Sequence, residues 1–257
     1  MRRVRLIIAY DGTGYVGWQV QNNGLAVQQV CEEALLAVTG EKVTLQGSGR
    51  TDSGVHARAQ VAHFDTSVRM DAGKFAIAMN TRLPADIRVL YSEEAPADFH
   101  ARFSAKHKEY RYSMLLAPHA SPFTRNTALH VHYKLDIPAM EQAAAALIGE
   151  HDFNAFRSVG VPQESTVRTI YTSRLEQKGS YLTYIVSGSG FMYNMVRILT
   201  GTLLDIGTHR LPPDTMERAL NSLQRKDAGP TAPAHGLTLW RVTYPDFDTE
   251  EYLPHEF

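Results

Sequence analysis

Hydrophobic periodicity changes along this chain in a fixed order, and the order occurs twice. Residues 5–10 read as a strand. Val27, Val30, Cys31, Ala34, Leu35 and Val38 then fall at helical spacing before Gly40, and strands over 43–46 and 60–65 flank a polar loop. Asp71 is placed to cap a helix over 72–83, Pro84 ends it, and 87–91 supplies another strand. The second pass runs through a strand at 109–116, an alanine-rich helix at 137–148 with Pro138 in its first turn, and a hairpin of 169–177 and 181–187 turning at Lys178-Gly179-Ser180. A helix follows over 191–206, with Met192, Met195, Val196, Leu199 and Leu203 on one side, then a short helix at 214–223 and a closing strand at 237–242. Two β-α-β-β-α-β passes predict an α+β fold. Its ferredoxin-like halves, 1–100 and 101–257, would join into one antiparallel or mixed sheet with helices on one face and a cleft on the other.

The chemistry concentrates in the loop of the first half, within GSGRTDSGVHARAQVAHFD at 47–65. Gly47, Gly49 and Gly54 let a backbone or ligand approach closely, and Arg50, Thr51, Asp52 and Ser53 are the side chains presented. If 50–52 is extended, Arg50 and Asp52 share a face, and the guanidinium favours the ionised acid. An ionised carboxylate carried on a loop by a rigid sheet suits nucleophilic or general-base chemistry. A solvated turn in which Asp52 bonds its own backbone is the other reading of the same residues.

Composition narrows the alternatives. With 44% hydrophobic and 21% charged residues the chain is an ordinary globular protein, and its basic start runs into Asp11-Gly12 too soon for a signal peptide. Cys31 is the single cysteine, so no internal disulfide forms; a small core residue in a reducing cytoplasm is expected. The glycines do not satisfy GxGxxG, and GxxxxGK[ST], GxSxG and HxE with PCxxC are absent, which disfavours dinucleotide, P-loop, serine-hydrolase and zinc-deaminase readings. Asp52, His56 and Asp65 make a weak divalent-metal set, and His130-Val131-His132 lacks a nearby third ligand.

The net charge of -1 gives no global sign of a nucleic-acid partner, but charge is uneven. Asp246, Asp248, Glu250, Glu251 and Glu256 load the tail with acid. The densest basic cluster is His100, Arg102, Lys106, His107, Lys108 and Arg111, interleaved with Tyr110 and Tyr112. Such a strand suits backbone neutralisation and base stacking, or is a solvated face.

GSGRTDSGVHARAQVAHFD resembles the motif of the bacterial tRNA pseudouridine synthase A family. YDGTGYVGWQ, DFHARFSAKHKEYRY, HDFNAFRS, GSGFMYNMVRILTGTLLDIG and AGPTAPAHGLTLWRVTYP resemble further segments of that family in the same order, over essentially the whole chain. Ser48 and Ser53 stand where alanine is common, and Arg58-Ala59 where a small residue and glycine are common. These departures bear on loop geometry rather than on the reaction.

The resemblance implies an isomerase that converts uridine to pseudouridine in the anticodon stem-loop of tRNA, at nucleotides 38, 39 and 40. It also implies a cytoplasmic homodimer with no cofactor, no metal, and no DNA or membrane partner. Asp52 matches the family's essential aspartate, which adds to the ribose, adds to the base, or takes a proton from C2′; the three routes stay open. Arg50 matches the arginine that fills the space of a flipped base. Tyr110 matches the tyrosine that stacks on the target uracil, and is otherwise a half-buried strand tyrosine. Arg197 lies among apolar helix neighbours, where an arginine needs a partner. The resemblance gives it Asp52; without it, a side chain reaching to solvent is expected. Leu237 matches an apolar position lining the uracil pocket and equally reads as core. Two further function classes are a non-catalytic RNA-binding protein and a metal-dependent nuclease.

Overall fold

The computed structural model describes residues 1–158, 160 and 164–253. In chain order the first elements are β1 (Arg2–Tyr10), α1 (Val27–Thr39), β2 (Gln46–Gly47), β3 (His56–Thr66), α2 (Lys74–Asn80) and β4 (Ile87–Ala95). There follow β5 (His107–Leu116), β6 (Leu129–Val131), α3 (Ile137–Ala145), β7 (Gly149–Asp152), β8 (Val167–Lys178), β9 (Tyr181–Gly188), α4 (Met195–Gly207), α5 (Thr215–Ser222) and β10 (Leu237–Thr243). The chain divides into two compact units, Met1–Lys108 with Thr238–Phe257, and Glu109–Leu237.

In the first unit the strand order is β4–β1–β3, with β2 on β3, which is the order of a ferredoxin-like β-α-β-β-α-β unit. These pairings are antiparallel. Strand β10 joins β3 in parallel, Thr238 opposite His56 and Leu239 opposite Ala57, so the C-terminal segment groups here and not with the residues that precede it. Helix α1 buries Val27, Cys31, Ala34 and Leu35, the stripe that the 3.6-residue period required. Helix α2 is shorter than its sequence pattern. The Asp71 carboxylate accepts from Gly73 N (2.8 Å) and the Asp71 carbonyl from Lys74 N (3.0 Å), which makes residues 71–73 a turn ahead of the helix.

The acidic tail folds back as a set of ion-pair acceptors. Arg5, almost wholly buried, bonds Glu93 (2.5 Å), lies 3.5 Å from Asp246 and places its guanidinium 4.0 Å from the Phe247 ring centre. Arg58 bonds Glu250 (2.7 Å) and stacks 4.8 Å from the Trp240 ring centre, and Arg241 holds Asp248. Buried guanidinium groups need such partners to offset lost hydration. Glu256 lies outside the described residues.

In the second unit the order is β5–β9–β8–β7, with the short β6 parallel to β5. The expected hairpin is present, Lys178 opposite Tyr181. Asp136 caps α3 by accepting from Ala139 N (3.1 Å), with Pro138 in the first turn. Helix α4 starts at Met195, not at Phe191. Asn194 adopts a left-handed conformation (φ 61°), which leaves residues 191–193 in the preceding loop. Strands β6 and β7 have no counterpart in the sequence reading, because Gly149-Glu150-His151-Asp152 carries no apolar alternation and Leu129–Val131 is too short to show any. No helix among the described residues is long and apolar enough to cross a membrane.

His63 is a buried titrating group of the first unit, on β3. It is 4% exposed, and its Nδ1 accepts from Ala101 N (3.2 Å). Burial above all, then Arg3 and His100, brings its pKa from 6.5 to about 4. The unfolded chain therefore binds a proton between these values that the folded chain does not. The stability this contributes is full above pH 6.5 and is lost as pH falls toward 4, about 1.4 kcal/mol per pH unit at most. Chemical denaturation at pH 7 and pH 4.5 should show this loss, and His63→Gln should make it shallower by roughly 2 kcal/mol.

Candidate active site

The expected site residues fall in both units, Arg50 and Asp52 in the first, Tyr110, Arg197 and Leu237 in the second.

The loop that carries Asp52 has almost no regular secondary structure to hold it, and the segment 10–18 supplies what the sheet does not. Tyr10, at the end of β1, shares a hydrogen bond with Thr51 Oγ1 (2.8 Å). Burial keeps that phenol protonated far above its usual range. Trp18 N donates to the Thr51 carbonyl (3.2 Å), Gly54 N donates to Tyr15 O (3.3 Å), and Ser53 Oγ donates to the same carbonyl (3.2 Å). Tyr15 is itself fixed by its hydroxyl, which donates to Asp86 Oδ1 (2.8 Å). The two segments approach too closely for side chains. A Cβ on Gly12 would lie 2.0 Å from Val55 O, and one on Gly17, whose φ is 107°, 2.4 Å from Thr51 O.

The other end of the loop is fastened to β3 and to the end of the unit. Ser48 N donates to Val61 O (2.7 Å), and Ser48 Oγ donates to Gln60 Oε1 (2.6 Å). Gln60, fully buried, donates from Nε2 to Gly49 O (2.9 Å), and Lys108 Nζ donates to Ser48 O (2.5 Å). Within this frame Val55 N closes a turn on Asp52 O (3.1 Å), Thr51 is buried, Asp52 half-buried and Arg50 exposed. The arrangement fixes the Asp52 backbone on both sides.

In the second unit, Tyr110 on β5 is 8% exposed, and its ring meets Phe191 edge-to-face, centroids 5.2 Å apart. Arg197, on the first turn of α4, donates from Nε to Ala232 O (2.8 Å) and from Nη1 to Asn194 Oδ1 (2.7 Å). Ala232 N returns a bond to Arg197 O (3.0 Å), and Gly229 N donates to Thr202 Oγ1 (2.9 Å), so residues 229–232 are strapped to α4. The guanidinium is thereby oriented by neutral acceptors. Leu237, 4% exposed, follows Gly236, which packs on the Tyr112 ring.

Several sequence expectations need correction. Among the described residues Arg50 forms no ion pair; it is exposed, and its guanidinium is not the partner of Asp52. The aromatic members of the cluster at 100–112, Tyr110 and Tyr112, are buried and not presented. Tyr112 is fully buried and donates to Pro233 O (2.9 Å), Arg111 turns to Glu109 (2.8 Å), and Arg102 lies over Phe103. His56 Nδ1 meets Gly12 N (3.0 Å) and Asp11 Oδ1 (3.1 Å), while Asp65 is clasped by Arg3 through two 2.8 Å bonds. The described residues contain no group of three or more His, Cys, Asp or Glu that could hold a metal ion. Sequence reasoning missed Tyr10, Gln60 and Asn194, and named Thr51 only as a presented loop side chain, whereas it is buried. Gln60 alone carried a signal, as a polar residue inside an apolar strand.

A family model described as tRNA pseudouridine synthase matches residues 6–104 and 143–245, a range that includes the Asp52 loop, Arg197 and Leu237 but not Tyr110. The chain is 49% identical over 247 residues to tRNA pseudouridine synthase A of Geobacter sp. (strain M21), covering 96% of this chain and 100% of the relative. It is 49% identical to the Listeria innocua protein of that name (95% and 100% covered) and 47% identical to that of Halalkalibacterium halodurans (92% and 90% covered). An α+β pseudouridine synthase fold is thus established, and the class is that of the isomerases. The chain belongs to the tRNA pseudouridine synthase family and acts on tRNA.

The frame around Asp52 makes a specific prediction. Tyr10→Phe removes one bond to Thr51, costing about 1 kcal/mol of stability. It should lower kcat for pseudouridine formation roughly tenfold by loosening the turn, with KM for tRNA little changed. Denaturation curves and initial rates on a tRNA transcript check both.

Proposed function

We propose that the chain isomerises uridine to pseudouridine in the anticodon stem-loop of tRNA, at positions 38, 39 and 40, with Asp52 as nucleophile. The reaction breaks the C1′–N1 bond, turns the retained uracil and joins C5 to C1′. C5 loses a proton and N1 gains one, so nothing is oxidised and no outside group is transferred. The observation that carries this reading is the Asp52 turn, a carboxylate whose backbone is fastened from both sides by buried groups. Such fastening is what a reacting group needs, whereas an anion at an RNA surface weakens binding. That contrast favours the enzyme over a binding module.

The other roles follow from the resemblance, each with a physical support. Arg50, exposed and without an ion pair among the described residues, replaces the stacking and pairing that a flipped base gives up, a few kcal/mol. Tyr110, its ring plane set by Phe191, stacks on the uracil, and its hydroxyl serves proton transfer. Arg197, oriented by Ala232 and Asn194, is the cation that keeps Asp52 ionised. Leu237 gives the pocket an apolar wall. The working form is a cytoplasmic homodimer that uses no cofactor.

Asp52→Asn keeps the shape and removes the nucleophile. It should abolish turnover while tRNA binding stays within roughly tenfold, about 1.4 kcal/mol. A much larger loss of binding in a filter assay would contradict the assigned role. Arg197→Met should lower both activity and melting temperature by leaving a carboxylate without its cation; unchanged values for both would exclude that pairing.

A further inference from the structure

The loop between β9 and α4 is bordered by two arginines. On one side Arg168 of β8, half-buried, donates from Nη1 to the carbonyls of Ser165 (3.0 Å) and Val167 (2.6 Å). Gly190 lies against it, where a Cβ would come within 3.9 Å of Arg168 Nε. Among the described residues no carboxylate pairs with Arg168. Burial lowers its pKa, the mark of a cation that has given up hydration without gaining a counter-ion. On the other side Arg157 donates from Nε to Asn154 Oδ1 (2.8 Å). The next residue, Ser158, is tied to the loop twice: its N–H donates to Tyr193 O (3.3 Å), and its Oγ accepts from Asn194 Nδ2 (2.7 Å).

The same loop carries two of the groups named above. Asn194 Oδ1 accepts from Arg197, and Phe191 sets the ring of Tyr110. In the same loop Tyr193 is 52% exposed. An exposed ring and a cation on one loop, which also holds residues assigned to the target uracil, match a polymer that alternates phosphates with bases better than a small anion, which would leave the ring unused.

We propose that Arg168 and Tyr193 form a binding track for the RNA strand beside the target nucleotide, the Arg168 guanidinium taking a backbone phosphate and Tyr193 stacking on a neighbouring base. The track rests on the function proposed above. It does not act on the reacting atoms, so it controls affinity and register rather than the chemical step.

The test is binding of an unmodified tRNA transcript across a range of KCl concentrations, with initial rates of pseudouridine formation, for wild type, Arg168→Gln, Arg168→Lys and Tyr193→Leu. Arg168→Gln should weaken binding about tenfold and reduce the slope of log K against log salt by about 0.7 to 0.9, one phosphate contact. Its kcat at saturating tRNA should stay within about twofold. Arg168→Lys should keep the wild-type slope, because the charge remains. Tyr193→Leu, an exposed position that does not threaten folding, should weaken binding with the slope unchanged. Wild-type affinity and slope in Arg168→Gln, or wild-type affinity in Tyr193→Leu, overturns the track. A wild-type protein that binds with this salt dependence yet leaves uridine unconverted overturns the proposed reaction instead and leaves the track standing.

Discussion

The structure depends on holding one carboxylate still on a stretch of chain with no sheet or helix of its own. Eight residues separate β2 from β3, and regular hydrogen bonding cannot fix them. The solution is a second irregular segment, 11–18, whose backbone meets the first closely enough that Gly12 and Gly17 admit no side chain. Tyr10, Tyr15 and Trp18 then anchor Thr51, Ser53 and Gly54 on one side, and Gln60 and Lys108 anchor Ser48 and Gly49 on the other. Order that a loop would lose to conformational entropy is retained by bonds on both sides of Asp52.

Charge is handled differently in the two units. In the first, the tail acids Asp246, Asp248 and Glu250 each take up an arginine, so these three are internal wiring. The second has pairs such as Arg174 with Glu176 and Arg210 with Asp205, and in addition Arg225 and Arg168 bond carbonyls. Guanidinium groups held by neutral acceptors keep their full charge, which is what a polyanionic substrate requires of its binding surface. A net charge of -1 therefore conceals a protein whose positive charge is local.

Much of the fold was legible because long elements carry long periods. The stripe of α1, the β8–β9 hairpin and the place of Pro138 in the first turn of α3 all follow from residue spacing and turn chemistry. Elements defined by tertiary pairing were not legible. Strand β7 is Gly-Glu-His-Asp and pairs only because β8 lies beside it, and β10 groups with the first unit through two parallel pairs that no local pattern encodes. Of the proposed site residues, Asp52 and Arg50 were read from the glycine-punctuated loop as well as from a motif resemblance, and Tyr110, Arg197 and Leu237 from the resemblance, while most of the groups that hold Asp52 in place were not read as such. Tyr10 reads as the end of a strand and Thr51 as one more loop polar; their bond exists only after the chain has folded.

The central claim is that the Asp52 carboxylate isomerises uridine in tRNA. The most direct measurement is tritium release from transcripts labelled at uracil C5, in EDTA, with one transcript carrying uridine only at positions 38 to 40 and another with cytidine there. Release from the first transcript alone, lost in Asp52→Ala, is the predicted result. Release from both transcripts, or release that survives Asp52→Ala, would contradict the account.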